Sequence, residues 1–113
     1  MVATYDDANL VVQLMRWDAE SGVDDALAVL FREDFDPVTA AKDDANVRKV
    51  LTFGETVGAL VRHQVLDANL IGDVYWWEGI WGRVSHHALS AREAAGEPRL
   101  YENFEALAKM KFG

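Results

Sequence analysis

The residues best suited to chemistry are the three histidines, His63, His86 and His87, together with Glu55, Glu78 and Glu93. Imidazole and carboxylate ligands hold a metal only where they converge, which on a helix calls for spacings of three or four residues. A helix-borne di-iron site uses Glu-x-x-His twice and a zinc protease uses His-Glu-x-x-His, and neither pattern occurs. Glu78 and His86 stand eight residues apart, and the adjacent rings of His86 and His87 diverge by about 100° on a helix. Glu78, His86 and His87 are thus the trio that a metal-dependent enzyme would use, but their spacing assigns them no metal, and no cofactor is expected.

Nucleophilic catalysis has no better footing. Ser21, Ser85 and Ser90 are the serines, and Ser85 lies beside His86 without a Gly-x-Ser-x-Gly elbow to aim it. The eight glycines are scattered at helix ends or at helical spacing, so there is no glycine-rich phosphate loop. No catalytic residue is assigned, and enzyme activity is left without support.

The most unusual stretch is Tyr75-Trp76-Trp77-Glu78-Gly79-Ile80-Trp81. Trp77 and Trp81 belong to an apolar seam, while Trp76 and Ile80 fall about 100° away on another flank. A helix that is apolar on several sides is usually buried. The alternative is an exposed aromatic flank of Tyr75, Trp76, Ile80 and Arg83 that contacts a partner or a second copy, since such residues anchor interfaces.

Acidic residues form the other distinctive group. The formal charge is −8, and residues 1–46 hold eleven acids against Arg16, Arg32 and Lys42, whereas the remainder balances eight against eight. The pairs Asp6-Asp7, Asp24-Asp25 and Asp43-Asp44 supply much of the excess, and each precedes an alanine and an apolar-periodic stretch. Aspartate there caps the free N–H groups of a first turn and suits the helix dipole, an effect of about 0.5–2 kcal/mol. The same six aspartates are the candidate acidic face. A calcium loop starting at Asp18 fails, because Gly22 falls at the fifth position and Val29 at the twelfth.

The elements that must position these residues are all helical. Apolar spacing predicts a first helix over about 6–19, a second over about 24–34 with Leu27, Leu30 and Phe31 on one side, and a third from Asp43 or Asp44 to Gln64. Gly54 and Gly58 lie on one stripe of the third, where a neighbouring backbone can come close. A long fourth helix, about 68–95, carries the seam Leu70, Val74, Trp77, Trp81, Val84, Ala88, Ala91 and Ala95, with its alanine end suited to close packing against another helix. Gly96 stops it, and Pro98 opens a fifth helix over about 98–111 with Leu100, Phe104, Leu107 and Ala108 inward. The expected fold is all-α, a compact bundle of about five helices around a long central fourth helix, forming one domain over 1–113.

Composition narrows the remaining classes. Half the residues are hydrophobic, 27% are charged and two are proline, which excludes a disordered tail. Zero cysteines exclude a disulfide scaffold and thiolate chemistry. Net acidity argues against direct nucleic-acid binding and against an anionic membrane. No uncharged apolar run approaches the length of a membrane span, so a cytoplasmic location is expected.

Leu14-Met15-Arg16-Trp17, then Val61-Arg62-His63-Gln64-Val65-Leu66-Asp67, and last Pro98-Arg99-Leu100-Tyr101-Glu102-Asn103-Phe104-Glu105 carry a resemblance. Over about residues 14–108 the chain resembles a bacterial family of small helical proteins catalogued as a domain of unknown function. The final segment is the most specific part. Two departures stand out: Glu97 where the family tends to have a capping aspartate, and Gln64 where it has a turn glycine. The resemblance implies a helical fold and brings no activity or catalytic residues.

The function expected from the residues is that of a non-enzymatic helical interaction module, self-associating or binding another protein through the aromatic flank. An alternative is an acidic inhibitory or regulatory protein, in one version of mobile-element origin, whose residues 6–44 occupy a basic surface of its partner. A second alternative is the metal-dependent enzyme using Glu78, His86 or His87.

Overall fold

A computed structural model describes residues 3–112; Met1, Val2 and Gly113 of the expected domain lie outside it. The described residues form six helices and no strand: α1 (Tyr5–Ser21), α2 (Val23–Leu30), α3 (Ala45–Arg62), α4 (Ala68–Val74), α5 (Trp77–Ala95) and α6 (Glu102–Lys109). Helix α1 stops where Gly22 adopts the left-handed conformation, φ 83°, and α5 stops where Gly96 does, φ 64°.

Helix starts correct the capping expectation in detail. Asp44 caps α3, accepting from the backbone N–H groups of Asn46 and Val47 at 2.9 and 3.0 Å. At α1 the cap is Thr4, whose hydroxyl accepts from Asp7 N–H at 3.1 Å while the Asp7 carboxylate accepts from Thr4 N–H at 2.8 Å. This is a capping box with aspartate in place of the usual glutamate. Asp24 and Asp25 lie in the first turn of α2 but make no side-chain cap, because Gly22 occupies that position. Asp67 caps α4 through Leu70 N–H at 3.0 Å.

The long fourth helix is in fact two. The chain is extended at Tyr75 (φ −128°, ψ 141°) and turns sharply at Trp76 (φ −86°, ψ 79°), where Trp77 N–H donates to Tyr75 O at 3.1 Å. Those angles and that bond describe an inverse γ-turn. The Trp77 indole N–H donates to Ile71 O at 3.2 Å, a carbonyl that also accepts from Tyr75 N–H at 3.2 Å, and so ties the start of α5 back to α4. The seam consequently holds only from Trp77 to Ala88, and Val74 is exposed. The alanine end has no close helical cover either, since Ala94 and Ala95 are exposed.

The fifth expected helix also starts later. Pro98 opens a turn, with Glu102 N–H donating to Arg99 O at 3.1 Å, and Tyr101 takes a left-handed φ of 59° before α6 begins. Glu97 does serve that turn, its carboxylate accepting from Arg99 N–H at 2.8 Å.

Helix α3 is the hub and packs on α2, α5 and α6. The Gly54–Gly58 stripe meets α6: a β-carbon on Gly54 would overlap the Phe104 ring, and one on Gly58 would overlap the Asn103–Phe104 backbone. Phe104 then reaches between Trp77 and Trp81, at centroid distances of 6.0 and 5.1 Å. Phe53 extends this aromatic core to Trp17 at 5.1 Å and Trp77 at 6.1 Å. Full burial of each such ring stabilises the fold by about 1.5–3 kcal/mol.

The Pro98–Glu105 segment does its work inside the fold. Glu55 of α3 accepts from Asn103 Nδ2 at 2.8 Å and from Phe104 N–H at 3.0 Å, taking the place of a cap at the start of α6. Glu102 pairs with Arg62 at 3.1 Å and Arg99 at 3.0 Å, and Glu105 pairs with Arg92 at 3.0 Å. The segment thereby joins α3, α5 and α6.

Candidate functional site

The turn at residues 75–77 sends successive aromatic rings in different directions. Trp77 enters the core at 1% exposure, while Trp76 is left 69% exposed. Tyr75 is half-buried, and its hydroxyl donates to Asp18 Oδ2 at 2.6 Å, tying the turn to α1. Burial, followed by the hydrogen bond and charge of Asp18 and the charge of Asp24, pushes the Tyr75 phenol well above its ordinary value. Tyr75 is therefore a neutral hydrogen-bond donor fixed to the scaffold.

Trp76 is exposed but held. A β-carbon on Gly79 would overlap its ring, so the indole lies directly over the bare start of α5. Its other neighbour is Phe31, stacked at 6.2 Å with planes 27° apart and itself 43% exposed. Phe31 follows α2 and was expected on its inner side. It turns outward because α2 ends at Leu30, and no apolar spacing in the sequence marks that early stop.

Arg83 sets the position of Phe31. Its guanidinium donates to Leu30 O at 2.6 Å and Phe35 O at 3.1 Å, and it lies 5.8 and 5.4 Å from the centroids of Phe31 and Phe35. These bonds satisfy carbonyls at the end of α2 and brace the segment after it. Ile80, placed on the flank by spacing alone, points into the core at 5% exposure. Of the four expected flank residues, then, Trp76 presents an exposed surface, Tyr75 ties its turn to α1, Arg83 braces Phe31, and Ile80 belongs to the core.

The platform carries charges of both signs, with Arg83 against Phe31 and both Lys111 and Glu78 beside Trp76. Glu33, Asp73 and Glu78 are exposed and form no ion pair among the described residues, whereas Arg32 is paired with Asp34 at 3.2 Å. Asp24 lies near enough to act on Tyr75. Behind Trp76 a cleft of about 410 Å³ runs between its ring, Glu78, Met110, Lys111 and Phe112. Of the other acidic-face residues, Asp6, Asp25 and Asp43 are exposed, Asp44 is half-buried in its cap, and Asp7 is buried.

The metal candidates do not meet. Glu78 and His86 are exposed, whereas His87 is 8% exposed with Nε2 3.0 Å from Ala41 O. The rings of His86 and His87 are perpendicular, 6.1 Å apart. Among the described residues no three of His, Asp and Glu are placed to share an ion. No described helix is long and apolar enough to cross a membrane.

Fold and site together define an all-helical protein with an ordered aromatic platform at the start of α5. The chain belongs to the family of the domain of unknown function DUF4760, whose model matches residues 6–111. Neither the curated proteins nor the solved structures compared with it gave a match.

Proposed function

We propose that this protein is a non-enzymatic interaction module whose contact surface is the Trp76–Phe31 platform, and that its partner is a different protein presenting a basic, apolar segment. One observation carries the reading: Trp76 is 69% exposed and yet held in a fixed place over Gly79 and against Phe31. A pre-positioned indole gives large contact area at little cost in conformational entropy, which is why tryptophan dominates interface hot spots. The acids around it supply the second half of the argument. Two copies meeting here would bring Glu33, Asp73 and Glu78 against themselves, and like charges across an interface are costly. Lysine or arginine side chains flanking an apolar anchor would meet both features at once. The reading takes in the idea of an acidic regulator covering a basic surface, with the platform as its apolar anchor.

The test uses two synthetic helical peptides with leucine at one i, i+3, i+4, i+7 stripe, one with lysine and arginine elsewhere and one with glutamate. Calorimetric titration of the full chain should give saturable binding of the basic peptide that weakens with salt, and binding of the acidic one at least tenfold weaker. Equal binding of both, or of neither, contradicts the reading. Light scattering on the chain alone completes the test: a dimer that Trp76→Ala abolishes would place a second copy on the platform instead.

A further inference from the structure

Helix α6 ends at Lys109, and the residues after it stay on the fold. Met110 is extended (φ −69°, ψ 146°) with its N–H donating to Leu107 O at 3.2 Å, and Lys111 and Phe112 then lie against the junction of α4 and α5. Phe112 is half-buried, its ring seated on Gly72 of α4 so closely that a β-carbon there would overlap it. Met110, Lys111 and Phe112 line the same cleft of about 410 Å³ as Trp76 and Glu78.

The chemistry of this segment is that of the partner assigned to the platform. Residues 106–112 hold Lys109 and Lys111 and no acid, in a chain whose net charge is −8, and the two bases alternate with Met110 and Phe112. Lys109 is paired with Glu105 at 3.1 Å, whereas Lys111 forms no ion pair among the described residues and stands in the cleft with Glu78. The attachment of the segment is slight. Beyond the Met110 N–H, neither Lys111 nor Phe112 makes a backbone hydrogen bond among the described residues, so the seat of the Phe112 ring on Gly72 is the main hold. A stretch tied down by so little opens locally at far lower cost than the whole fold.

We propose that Met110–Phe112 is a strap that regulates the platform from within: it occupies part of the surface that the partner's basic, apolar segment covers, and an apolar side chain of that segment takes the seat on Gly72 when Phe112 leaves it. The inference rests on the platform reading, since it names the regulation of that same surface. Apparent affinity falls in proportion to the fraction of molecules in the open form, so a strap open about a tenth of the time weakens binding about tenfold.

The test is calorimetric titration of the basic leucine-striped peptide into three full chains: the parent, Phe112→Ala, and Phe112→Ala combined with Gly72→Leu. Phe112→Ala empties the seat and should raise the affinity about tenfold. Adding Gly72→Leu, which gains helix propensity while placing an aliphatic side chain where the ring sat, should return the affinity to that of the parent or below. Unchanged or weaker binding by Phe112→Ala, or a gain that Gly72→Leu does not reverse, would overturn the proposal and leave the platform reading standing. If no chain binds this peptide, the platform reading fails, and amide NMR with an acetylated, amidated peptide of residues 108–112 decides the seat by itself. Saturable shifts of residues 70–78 in Phe112→Ala, with binding about tenfold weaker in the parent, keep the strap and its seat, and their absence overturns both.

Discussion

The indole of Trp76 lies over Gly79, three residues further along the chain, so closely that a β-carbon there would overlap the ring. A glycine in a first helical turn has its own cost, up to about 1 kcal/mol relative to alanine. Here that cost accompanies a fixed surface tryptophan. Gly79→Ala is therefore expected to leave the thermal midpoint unchanged or raised while dislodging Trp76. Acrylamide quenching should increase and binding of the basic peptide should fall about tenfold, a loss of about 1.4 kcal/mol. A variant with unchanged quenching would show that the ring is not held by this contact.

Gly58 gives the opposite expectation. Its neighbour is backbone, the Asn103–Phe104 peptide, which cannot move without displacing α6. Gly58→Ala gains helix propensity but forces α3 and α6 apart, for a net loss of about 1–3 kcal/mol. Denaturant unfolding checks this, and a neutral or stabilised variant would mean that the helices can separate at little cost.

Gln64 follows the end of α3 with φ 61°. Val65 N–H donates to Leu60 O at 2.9 Å and Gln64 N–H to Val61 O at 3.0 Å, a Schellman ending whose left-handed residue is normally glycine. Gln64→Gly removes a left-handed penalty of about 1–2 kcal/mol and adds back some unfolded-state entropy, for a net gain of about 0.5–1 kcal/mol. The melting temperature should rise by about 2–6 °C. A fall would indicate that the Gln64 side chain makes a contact worth more than the strain.

Asp7 predicts a pH effect with a definite sign. Its carboxylate accepts from Thr4 N–H and, sixty residues away, from Asp67 N–H at 3.0 Å, joining the starts of α1 and α4. The Thr4 amide, helped by that of Asp67, holds the carboxyl below its usual range. The unfolded chain then binds a proton more readily than the folded one. The stabilisation is fully present above about pH 4 and disappears as pH falls through the folded value. Glu102, held down by Arg99, and Glu105, held down by Lys109 and Arg92, act in the same direction. Asp7→Asn should be less stable than the parent at neutral pH, and the gap should narrow on acidification below about pH 4. A gap independent of pH would mean that the charge of Asp7 contributes nothing.

These contacts indicate how far the sequence could be read. Apolar period and glycine stops locate α1 to α3 to within a few residues, because local burial patterns decide those helices. Gly54 and Gly58 announce a close approach, and α6 makes it. The break at Tyr75-Trp76 escapes such reading, since a 3.5-residue seam continues across it unchanged. Two bonds hold it, the long-range one from Tyr75 to Asp18 and the local one from the Trp77 indole to Ile71 O, and neither leaves a mark in the apolar period. The site suffers from the same gap. Trp76 was legible as an exposed candidate, but placing Ile80 beside it assumed an unbroken helix, and Phe31 joins only because α2 stops early. The seat of Phe112 on Gly72 depends on the path of the residues after α6, which no periodicity encodes.

The platform reading stands most directly on Trp76 itself. The measurement is the affinity of the basic leucine-striped peptide for the parent chain and for Trp76→Ala, each at low and at physiological salt. Trp76→Ala should bind about 30-fold or more weakly, a hot-spot loss of about 2 kcal/mol, while both chains keep a similar salt dependence from the surrounding acids. Equal affinities of the two chains would show that the peptide is held by charge alone and that Trp76 is not the anchor.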